Sequence, residues 1–184
     1  MGIGALKAVF LDRDGVLNRA VVRDGKPYPP GSLEELEILP GTAEALTELK
    51  GLGYLLIVVT NQPDVGRGTQ SRESVEAMHQ AMGRTLPVDE FVACYHDDRD
   101  GCACRKPLPG MLVDAAGRLG IDVAGSFMIG DRWRDIDAGH AAGCKAILIE
   151  YNYRERKPTA APECRVQSLT EAVEWIKSQK RGST

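Results

Sequence analysis

The chain has 184 residues, of which 43% are hydrophobic and 27% charged, and its formal net charge is −3. This composition is typical of one globular domain, and the slight acidity argues against a general nucleic-acid-binding protein. No apolar run approaches the roughly 18 residues of a membrane-spanning helix. We therefore predict a single domain over residues 1–184, monomeric by default, with neither membrane nor nucleic acid as a partner.

Apolar, β-branched runs alternate with amphipathic segments along the chain. Strands are predicted at residues 6–12, 54–60, 91–95, 126–131 and 145–149. Helices are predicted at residues 42–50, 71–85, 109–119 and 133–142, with a last helix opened by Ser168. Residues 19–38 and 151–167 are predicted loops, and residues 180–184 a disordered tail. The alternation predicts a three-layer, Rossmann-like, doubly wound α/β fold with a parallel sheet.

Polar side chains follow the predicted strands at the points where these strands end. Asp12 and Asp14 follow the first strand, Thr60-Asn61 ends the second, and Asp131 ends the fourth. In open α/β sheets, ligands bind beyond the carboxyl ends of the strands. Residues two apart in a strand point the same way, so Asp12 and Asp14 are expected to face one centre. Two like charges that close need a cation or a shared proton.

A second group of chemically active residues lies within residues 94–104. Cys94, His96, Cys102 and Cys104 supply three thiols and one imidazole, the ligand set of a closed, structural Zn²⁺ site. The alternative is two buried cysteines, an unrelated third and an exposed histidine. The five cysteines of the chain do not suggest a disulfide framework, which favours a reducing compartment and hence the cytoplasm.

The motifs at the strand ends, taken together, resemble those of the haloacid dehalogenase-like (HAD) phosphohydrolases. They are Asp12-Arg13-Asp14-Gly15-Val16, Val58-Val59-Thr60-Asn61, Lys106-Pro107 and Gly130-Asp131-Arg132-Trp133-Arg134-Asp135. Their succession spans most of the chain. The resemblance implies a HAD-like fold and hydrolysis of a phosphate ester through a covalent aspartyl-phosphate.

The same resemblance assigns roles to individual residues. It implies that Asp12 is the nucleophile and that Asp14 protonates the leaving group and then activates water. Lys106 and the Thr60 hydroxyl would bind the phosphoryl oxygens. Mg²⁺ would be held by Asp12, by the backbone carbonyl of Asp14 and by Asp131, since this ion prefers oxygen ligands. Asp135 would orient Lys106 or a metal-bound water; alternatively it is a first-turn helix acid favoured by the helix dipole.

The run Cys94-x-His96, Cys102-x-Cys104-Arg105-Lys106 narrows the resemblance to the zinc-containing heptose bisphosphate phosphatases and the related histidinol-phosphate phosphatases. In these families a metal loop replaces a large cap domain. The zinc would then fix Arg105 and Lys106 relative to the phosphate. Substrate contacts are expected from Asn61, Gln62, Arg67, Arg105 and Arg132. A solvent-exposed loop arginine is the alternative for Arg67.

The sequence thus predicts a Mg²⁺-dependent phosphatase with a structural Zn²⁺ ion and a small phosphorylated metabolite as its partner. The substrate expected from the resemblance is D-glycero-D-manno-heptose 1,7-bisphosphate, which would lose its 7-phosphate. The alternative enzyme is a histidinol-phosphate phosphatase. Alternatives from other classes are a non-catalytic phosphate-binding module and a receiver-type signalling domain. The second carboxylate, Asp14, argues against the receiver because it would hasten loss of the phosphoryl group.

Overall fold

The computed structural model describes residues 5–181. The strands are β1 (Lys7–Leu11), β2 (Val21–Arg23), β3 (Lys26–Tyr28), β4 (Tyr54–Asn61), β5 (Glu90–Cys94), β6 (Phe127–Gly130), β7 (Lys145–Ile149) and β8 (Cys164–Val166). The helices are α1 (Thr42–Gly51), α2 (Pro63–Gly66), α3 (Arg72–Thr85), α4 (Gly110–Leu119), α5 (Trp133–Ala142) and α6 (Leu169–Arg181). Within the described range, none of these helices combines the length and apolar character that crossing a membrane requires.

Six strands form one parallel sheet in the order β5-β4-β1-β6-β7-β8. The central strand is β1, in which Val9 pairs with Leu56 of β4 on one side and with Phe127 of β6 on the other. Residues 8–11 of β1 are fully buried. A parallel strand covered on both faces is apolar throughout, which explains why these runs lack a polar alternation.

Helices cover both faces of the sheet and make three layers. Val9 and Leu11 pack in one apolar cluster with Leu46 of α1 and Ile176 of α6. Their neighbours Ala8 and Phe10 point to the opposite face, into a cluster with Met111 and Leu112 of α4 and Ala138 of α5. Successive side chains of a strand alternate between faces, so β1 contributes to both clusters. The predicted three-layer α/β fold is confirmed.

The prediction of an unbroken loop over residues 19–38 is wrong, because β2 and β3 form an antiparallel hairpin there. Asp24 and Gly25 form its two-residue turn with φ values of +52° and +75°. Positive φ at both positions is typical of the type I′ turn, for which Asp-Gly is a preferred sequence. The Asp-Gly turn was visible in the sequence. However, each strand has only three residues and β3 contains Pro27, a residue that argues against a strand, so neither strand was recognised.

Three smaller differences from the prediction are an additional strand, an additional short helix and a longer last helix. The predicted loop 151–167 contains β8, which pairs with β7 and places Cys164 in a strand rather than in a loop. The short helix α2 follows Gln62 directly and was not predicted. The predicted disordered tail begins too early, since Lys180 continues α6 and its Nζ lies 2.6 Å from the carbonyl oxygen of Leu52. Residues 182–184 of that tail lie outside the described residues.

Candidate active site

The expected side chains meet at the carboxyl edge of the sheet. Asp12 follows β1, Thr60 and Asn61 end β4, and Asp131 follows β6. Because β4, β1 and β6 are neighbours in the sheet, motifs separated by 48 and 71 positions come together there. The chain order of the strands does not reveal this adjacency, but a parallel sheet produces it whenever these strands are central.

Lys106 is the buried cation of this edge, and its side chain is only 2% exposed. Its Nζ donates to the carbonyl oxygen of Val59 at 2.8 Å and lies 3.0 Å from Asp12 Oδ1 and 2.6 Å from Asp135 Oδ1. Three acceptors match the three protons of an ammonium group. Burial lowers the pKa of Lys106, but the carboxylates of Asp12 and Asp135 outweigh burial and raise it above its usual value. Lys106 is therefore a permanently charged group.

Asn61 positions the backbone of Lys106. Its Nδ2 donates to the Lys106 carbonyl oxygen at 3.0 Å, and its Oδ1 accepts from the Lys106 amide at 3.1 Å. This reciprocal pair ties the end of β4 to the loop after β5. Asn61 also lines the cleft in front of Asp12, so it combines the predicted substrate-facing position with a structural role.

Asp135 fulfils both alternatives that its sequence position left open. Its Oδ1 contacts Lys106, and its Oδ2 accepts from the backbone amide of Arg132 at 3.0 Å at the start of α5. The side chain thus orients Lys106 and satisfies a free amide of the first helical turn at the same time.

Three carboxylates form a cluster at this edge: oxygens of Asp12, Asp131 and Asp135 lie within 4.8 Å of one another. We call these three residues together with Lys106 the carboxylate site. Neither buried oxygen of Asp131 has a hydrogen bond of normal geometry within residues 5–181. Burial, followed by repulsion from Asp135, raises the pKa of Asp12 to about 7. Burial and Asp12 likewise raise the pKa of Asp131.

This donor set fits Mg²⁺. The ion takes oxygen ligands, and the two buried oxygens of Asp131 beside a second carboxylate could provide them. Gly15 keeps the space open, because a Cβ at this position would lie 2.0 Å from Asp131 Oδ2, and its φ of +84° also favours glycine. Both oxygens of Asp135 are engaged by Lys106 and Arg132, so Asp12 and Asp131 are the better ligands.

Asp14 is surrounded by hydrogen-bond donors. Its Oδ1 accepts from Asn18 Nδ2 at 2.9 Å and from Arg13 Nη2 at 3.1 Å. Its Oδ2 accepts from Gln62 Nε2 at 2.9 Å and from Arg13 Nε at 3.2 Å. The carboxylate also lines the cleft. Asp14 is therefore held in one orientation at the cleft wall.

Gln62, a predicted substrate contact, has a fully buried side chain that does not line the cleft, so its contact with substrate stays a prediction. Its Nε2 donates to both Asp14 Oδ2 and Thr60 Oγ1, each at 2.9 Å. Thr60 accepts this bond, so its own hydroxyl proton remains available to a phosphoryl oxygen. Gln62 thus connects two predicted catalytic residues.

The four residues Cys94, His96, Cys102 and Cys104 converge as the sequence predicted, and we call residues 94–104 the thiol loop. The three sulfurs lie 3.1–3.7 Å from one another, and His96 Nδ1 lies 3.3 Å from the sulfur of Cys104. Ligands of a tetrahedral zinc ion with bonds of about 2.0–2.3 Å are roughly 3.5–3.8 Å apart, so the arrangement fits the ion. Burial raises the pKa of Cys94, so a thiolate there requires a neighbouring cation.

Four arginines surround the mouth of the cleft, and each of them contacts a carboxylate. Arg105 Nε lies 2.7 Å from Asp98 Oδ1, and Arg134 Nη1 lies 3.5 Å from the same oxygen. Arg67 contacts Asp97 and Asp64, and Arg132 pairs with Glu155. Arg67, Arg105 and Arg132 were predicted to lie at the substrate site, and all three line the cleft.

Several functional candidates were not predicted. Arg134 lines the cleft, and the β2–β3 hairpin adds Lys26 and Tyr28 to the opposite wall. The signals were the second arginine of the Arg132-Trp133-Arg134 run and the Asp-Gly turn. Arg13 stands between the two aspartates of the motif and contacts Asp14 beneath the cleft, but no role was predicted for it.

Comparison with known proteins identifies the family to which this chain belongs. The HAD-hydrolase-like family model matches residues 103–173. The D-glycero-β-D-manno-heptose-1,7-bisphosphate 7-phosphatase of Bordetella bronchiseptica is 38% identical over 150 residues, which cover 79% of this chain and 81% of that protein. This chain belongs to the heptose bisphosphate 7-phosphatase family of HAD-like hydrolases. It is therefore a phosphatase of the HAD type, as the sequence predicted.

Other members of the heptose bisphosphate 7-phosphatase family agree. The Escherichia coli K12 protein of the same name is 32% identical over 191 residues, covering 96% of this chain and 97% of that protein. The crystal structure of the D,D-heptose 1,7-bisphosphate phosphatase from B. bronchiseptica, complexed with magnesium and phosphate, superposes with a TM-score of 0.79 at 32% identity. It covers 95% of this chain and 99% of that one. That relative thus holds magnesium and phosphate on the same fold.

Proposed function

We propose that this chain removes the 7-phosphate of D-glycero-D-manno-heptose 1,7-bisphosphate through an aspartyl-phosphate on Asp12. The observation that carries the proposal is the carboxylate site: Asp12 contacts Lys106 and stands beside the buried oxygens of Asp131. The family relatives named for this activity support the choice of substrate.

The first step transfers the phosphoryl group to Asp12. Oδ1 of Asp12 accepts from the Arg13 amide at 2.8 Å and contacts Lys106, so we assign the attack on phosphorus to Oδ2. The bond between phosphorus and the sugar oxygen breaks, and that oxygen takes the proton of the Asp14 carboxyl group. Lys106 and the Thr60 hydroxyl stabilise negative charge on the equatorial oxygens.

The second step releases phosphate. Asp14, now a carboxylate, takes a proton from a water molecule, and the water oxygen attacks phosphorus. The bond between phosphorus and Asp12 breaks, which restores the Asp12 carboxylate, and Asp14 is again protonated for the next cycle. One residue thus acts as acid in the first step and as base in the second.

Asp12, Asp131 and the backbone carbonyl of Asp14 would hold Mg²⁺. In that position the ion would supply positive charge to offset the negative charge of the phosphoryl group. The chain's own contribution is the placement of its ligands: Gly15 allows the close approach of Asp131, and Lys106 holds Asp12. Burial and then repulsion by Asp12 raise the pKa of Asp131, and a bound cation would favour its charged form.

The remote phosphate of the substrate would be bound by the arginines at the cleft mouth. Arg105 is the first choice, because it directly precedes Lys106 and because its guanidinium contacts a carboxylate, Asp98, from the cleft wall. A guanidinium that binds a carboxylate binds phosphate by the same paired geometry. Arg67 and Arg132 extend the positive rim.

The thiol loop would hold a structural Zn²⁺ ion, whose role is to fix Arg105 and Lys106. All five thiols are free, a state that supports a cytoplasmic location because that compartment keeps thiols reduced.

The test is phosphate release by the purified protein with Mg²⁺. The panel contains both anomers of the heptose bisphosphate, histidinol phosphate, common sugar monophosphates and p-nitrophenyl phosphate. We expect kcat/KM for one bisphosphate anomer to exceed that of the other substrates by at least about a hundredfold, roughly 2.7 kcal/mol of transition-state discrimination.

Other outcomes separate the alternatives. Preference for histidinol phosphate would replace the substrate but keep the reaction. Phosphate binding without any turnover would favour the non-catalytic module and contradict the proposal.

A further inference from the structure

Arg13 is a fully buried guanidinium directly beneath the cleft. Its backbone carbonyl accepts amide hydrogen bonds from Leu17 at 2.9 Å and from Asn18 at 3.2 Å, which locks the turn after β1. Its side chain bends back to Asp14: Nη2 lies 3.1 Å from Oδ1, and Nε lies 3.2 Å from both carboxylate oxygens. The contact is a paired guanidinium–carboxylate interaction inside the protein.

His79 of α3 holds the other end of Arg13. Its Nε2 lies 3.2 Å from Arg13 Nη1, and the imidazole is 4% exposed. A guanidinium has no acceptor, so Nε2 must be the unprotonated nitrogen and the proton resides on Nδ1. Burial, and then the charge of Arg13, lower the pKa of His79 to about 4, in agreement with a neutral ring.

The imidazole has a fixed plane. It stacks on Phe91 of β5, with ring centroids 4.9 Å apart and an interplanar angle of 15°. Its Nδ1 faces Glu76 on the preceding turn of α3, 3.7 Å from Oε2. The chain of contacts therefore runs from a helix and an outer strand through Arg13 to the carboxylate of Asp14.

Such an arrangement needs an explanation, because a buried guanidinium is unfavourable unless it is paired and hydrogen-bonded. Asp14 could have been oriented by the neutral amides of Asn18 and Gln62 alone. These amides each contribute one bond, at 2.9 Å, and neither fixes the plane of the carboxylate. The planar guanidinium contacts both oxygens and fixes that plane, on which proton transfer depends.

We propose that Arg13 and His79 form an internal support that positions the Asp14 carboxyl group for proton transfer to the leaving oxygen. The inference rests on the proposed function, in which Asp14 is the acid. Arg13 and His79 touch no substrate and are positioning residues: Arg13 sets the plane of Asp14, and His79 sets the guanidinium of Arg13.

The test compares a substrate that needs an acid with one that does not. An alkyl phosphate has a poor leaving group and needs protonation, whereas p-nitrophenolate leaves without it. The quantity measured is kcat/KM, because it reports the steps through departure of the leaving group and is not affected by the later attack of water. The alkyl phosphate is the best one found in the substrate panel.

We expect Arg13→Met to lower kcat/KM about a hundredfold for the alkyl phosphate and less than about fivefold for p-nitrophenyl phosphate, since a positioned acid contributes roughly 10²–10⁴. His79→Leu should lower the alkyl value about tenfold. His79→Gln should stay within about threefold of the wild type, because the amide oxygen accepts from Nη1 in place of Nε2.

Leu112→Ala is the control for general loss of stability. Leu112 is fully buried in the cluster with Ala8 and Phe10, on the sheet face that α4 covers. The variant should lower Tm without changing the ratio of the two kcat/KM values. If Arg13→Met does not fold, the two His79 variants decide.

Equal losses on both substrates in the Arg13 and His79 variants would overturn the inference while leaving the phosphatase proposal intact. A wild-type protein that hydrolyses neither substrate would overturn the proposed function, and this inference with it.

Discussion

The carboxylate site and the thiol loop lie side by side, yet they are built by different means. Asp12 and Asp131 follow central strands of the sheet, and the backbone next to them is fixed by strand pairing. The thiol loop begins at the last residue of β5, the edge strand, and is held by its converging ligand residues and by the ion pairs of Asp97 and Asp98. The first region is thus fixed by strand pairing, and the second by contacts between side chains.

The two regions also differ in the kind of ionisable groups that they bring together. The carboxylate site gathers buried acids around one ammonium. Burial and the mutual repulsion of the acids raise the pKa of Asp12 and Asp131, so a cation or a proton is needed to offset their charge. The thiol loop presents soft ligands in a closed set of four. They meet at Arg105-Lys106, where one residue belongs to the cleft mouth and the next to the carboxylate site. The proposed nucleophile therefore depends on strand pairing for its position, whereas the proposed phosphate-binding cations depend on the thiol loop.

Asp12→Asn should break the first region alone. We expect kcat to fall at least about a thousandfold, because the amide is not a nucleophile. Lys106 keeps its contact to Asp135, so the fold should persist. The measurement is phosphate release with Tm as the control. Zinc content should be unchanged; loss of zinc in this variant would contradict the independence of the two regions.

Arg105→Ala should affect the point at which the thiol loop meets the carboxylate site. A charged hydrogen-bonded contact contributes about 1.5–3 kcal/mol, so kcat/KM for the bisphosphate should fall roughly 10–100-fold. A monophosphate that lacks the remote group should lose less than about threefold. The matched control is Arg99→Ala, on the same loop but 86% exposed and outside the cleft lining. Equal losses on both substrates would argue against a role in binding the remote phosphate.

Cys102→Ser should break the second region alone. We expect loss of bound zinc, measured by metal analysis, a lower Tm and a kcat reduced about tenfold, because Arg105 and Lys106 lose their alignment. Cys164→Ser is the control, since Cys164 lies in β8, far from the loop in the sheet order. A folded, zinc-free variant with unchanged turnover would refute the alignment role.

The smallest expected effect concerns pH and Mg²⁺. Asp12 has a folded pKa of about 7 against an ordinary value of 3.8, so between these values the folded protein holds a proton that the unfolded chain has released. Raising the pH through this window therefore lowers the stability of the metal-free protein. Mg²⁺ binds the deprotonated form and should raise Tm by a few degrees at pH 8 but less at pH 5.

Thermal unfolding with and without Mg²⁺ measures this difference. Asp131→Asn should abolish the increment at pH 8. An increment that is larger at pH 5 would contradict the assignment of the raised pKa to the carboxylate site.

The features that the sequence determined by itself depend on residues close together in the chain. Strand runs, the polar residues at their ends and the ligand set of the thiol loop are all visible within ten or so neighbouring positions, because strand burial and metal-ligand chemistry depend on nearby residues. The same is true of Ser71 at the start of the predicted helix 71–85: it caps α3, and its Oγ accepts from the amide of Ser74 at 3.0 Å. Motif order then sufficed to predict the family.

What only the tertiary structure decided depends on contacts between distant positions. Gln62 was predicted to face substrate but donates to Asp14, 48 positions away, and Arg13 reaches His79, 66 positions away. Whether a polar side chain faces the cleft or its wall is determined by the partner that packing brings to it, and periodicity carries no information about that partner. The physical reason is that most buried polar groups must find a donor or an acceptor, and which residue serves as that partner is decided by the folded chain.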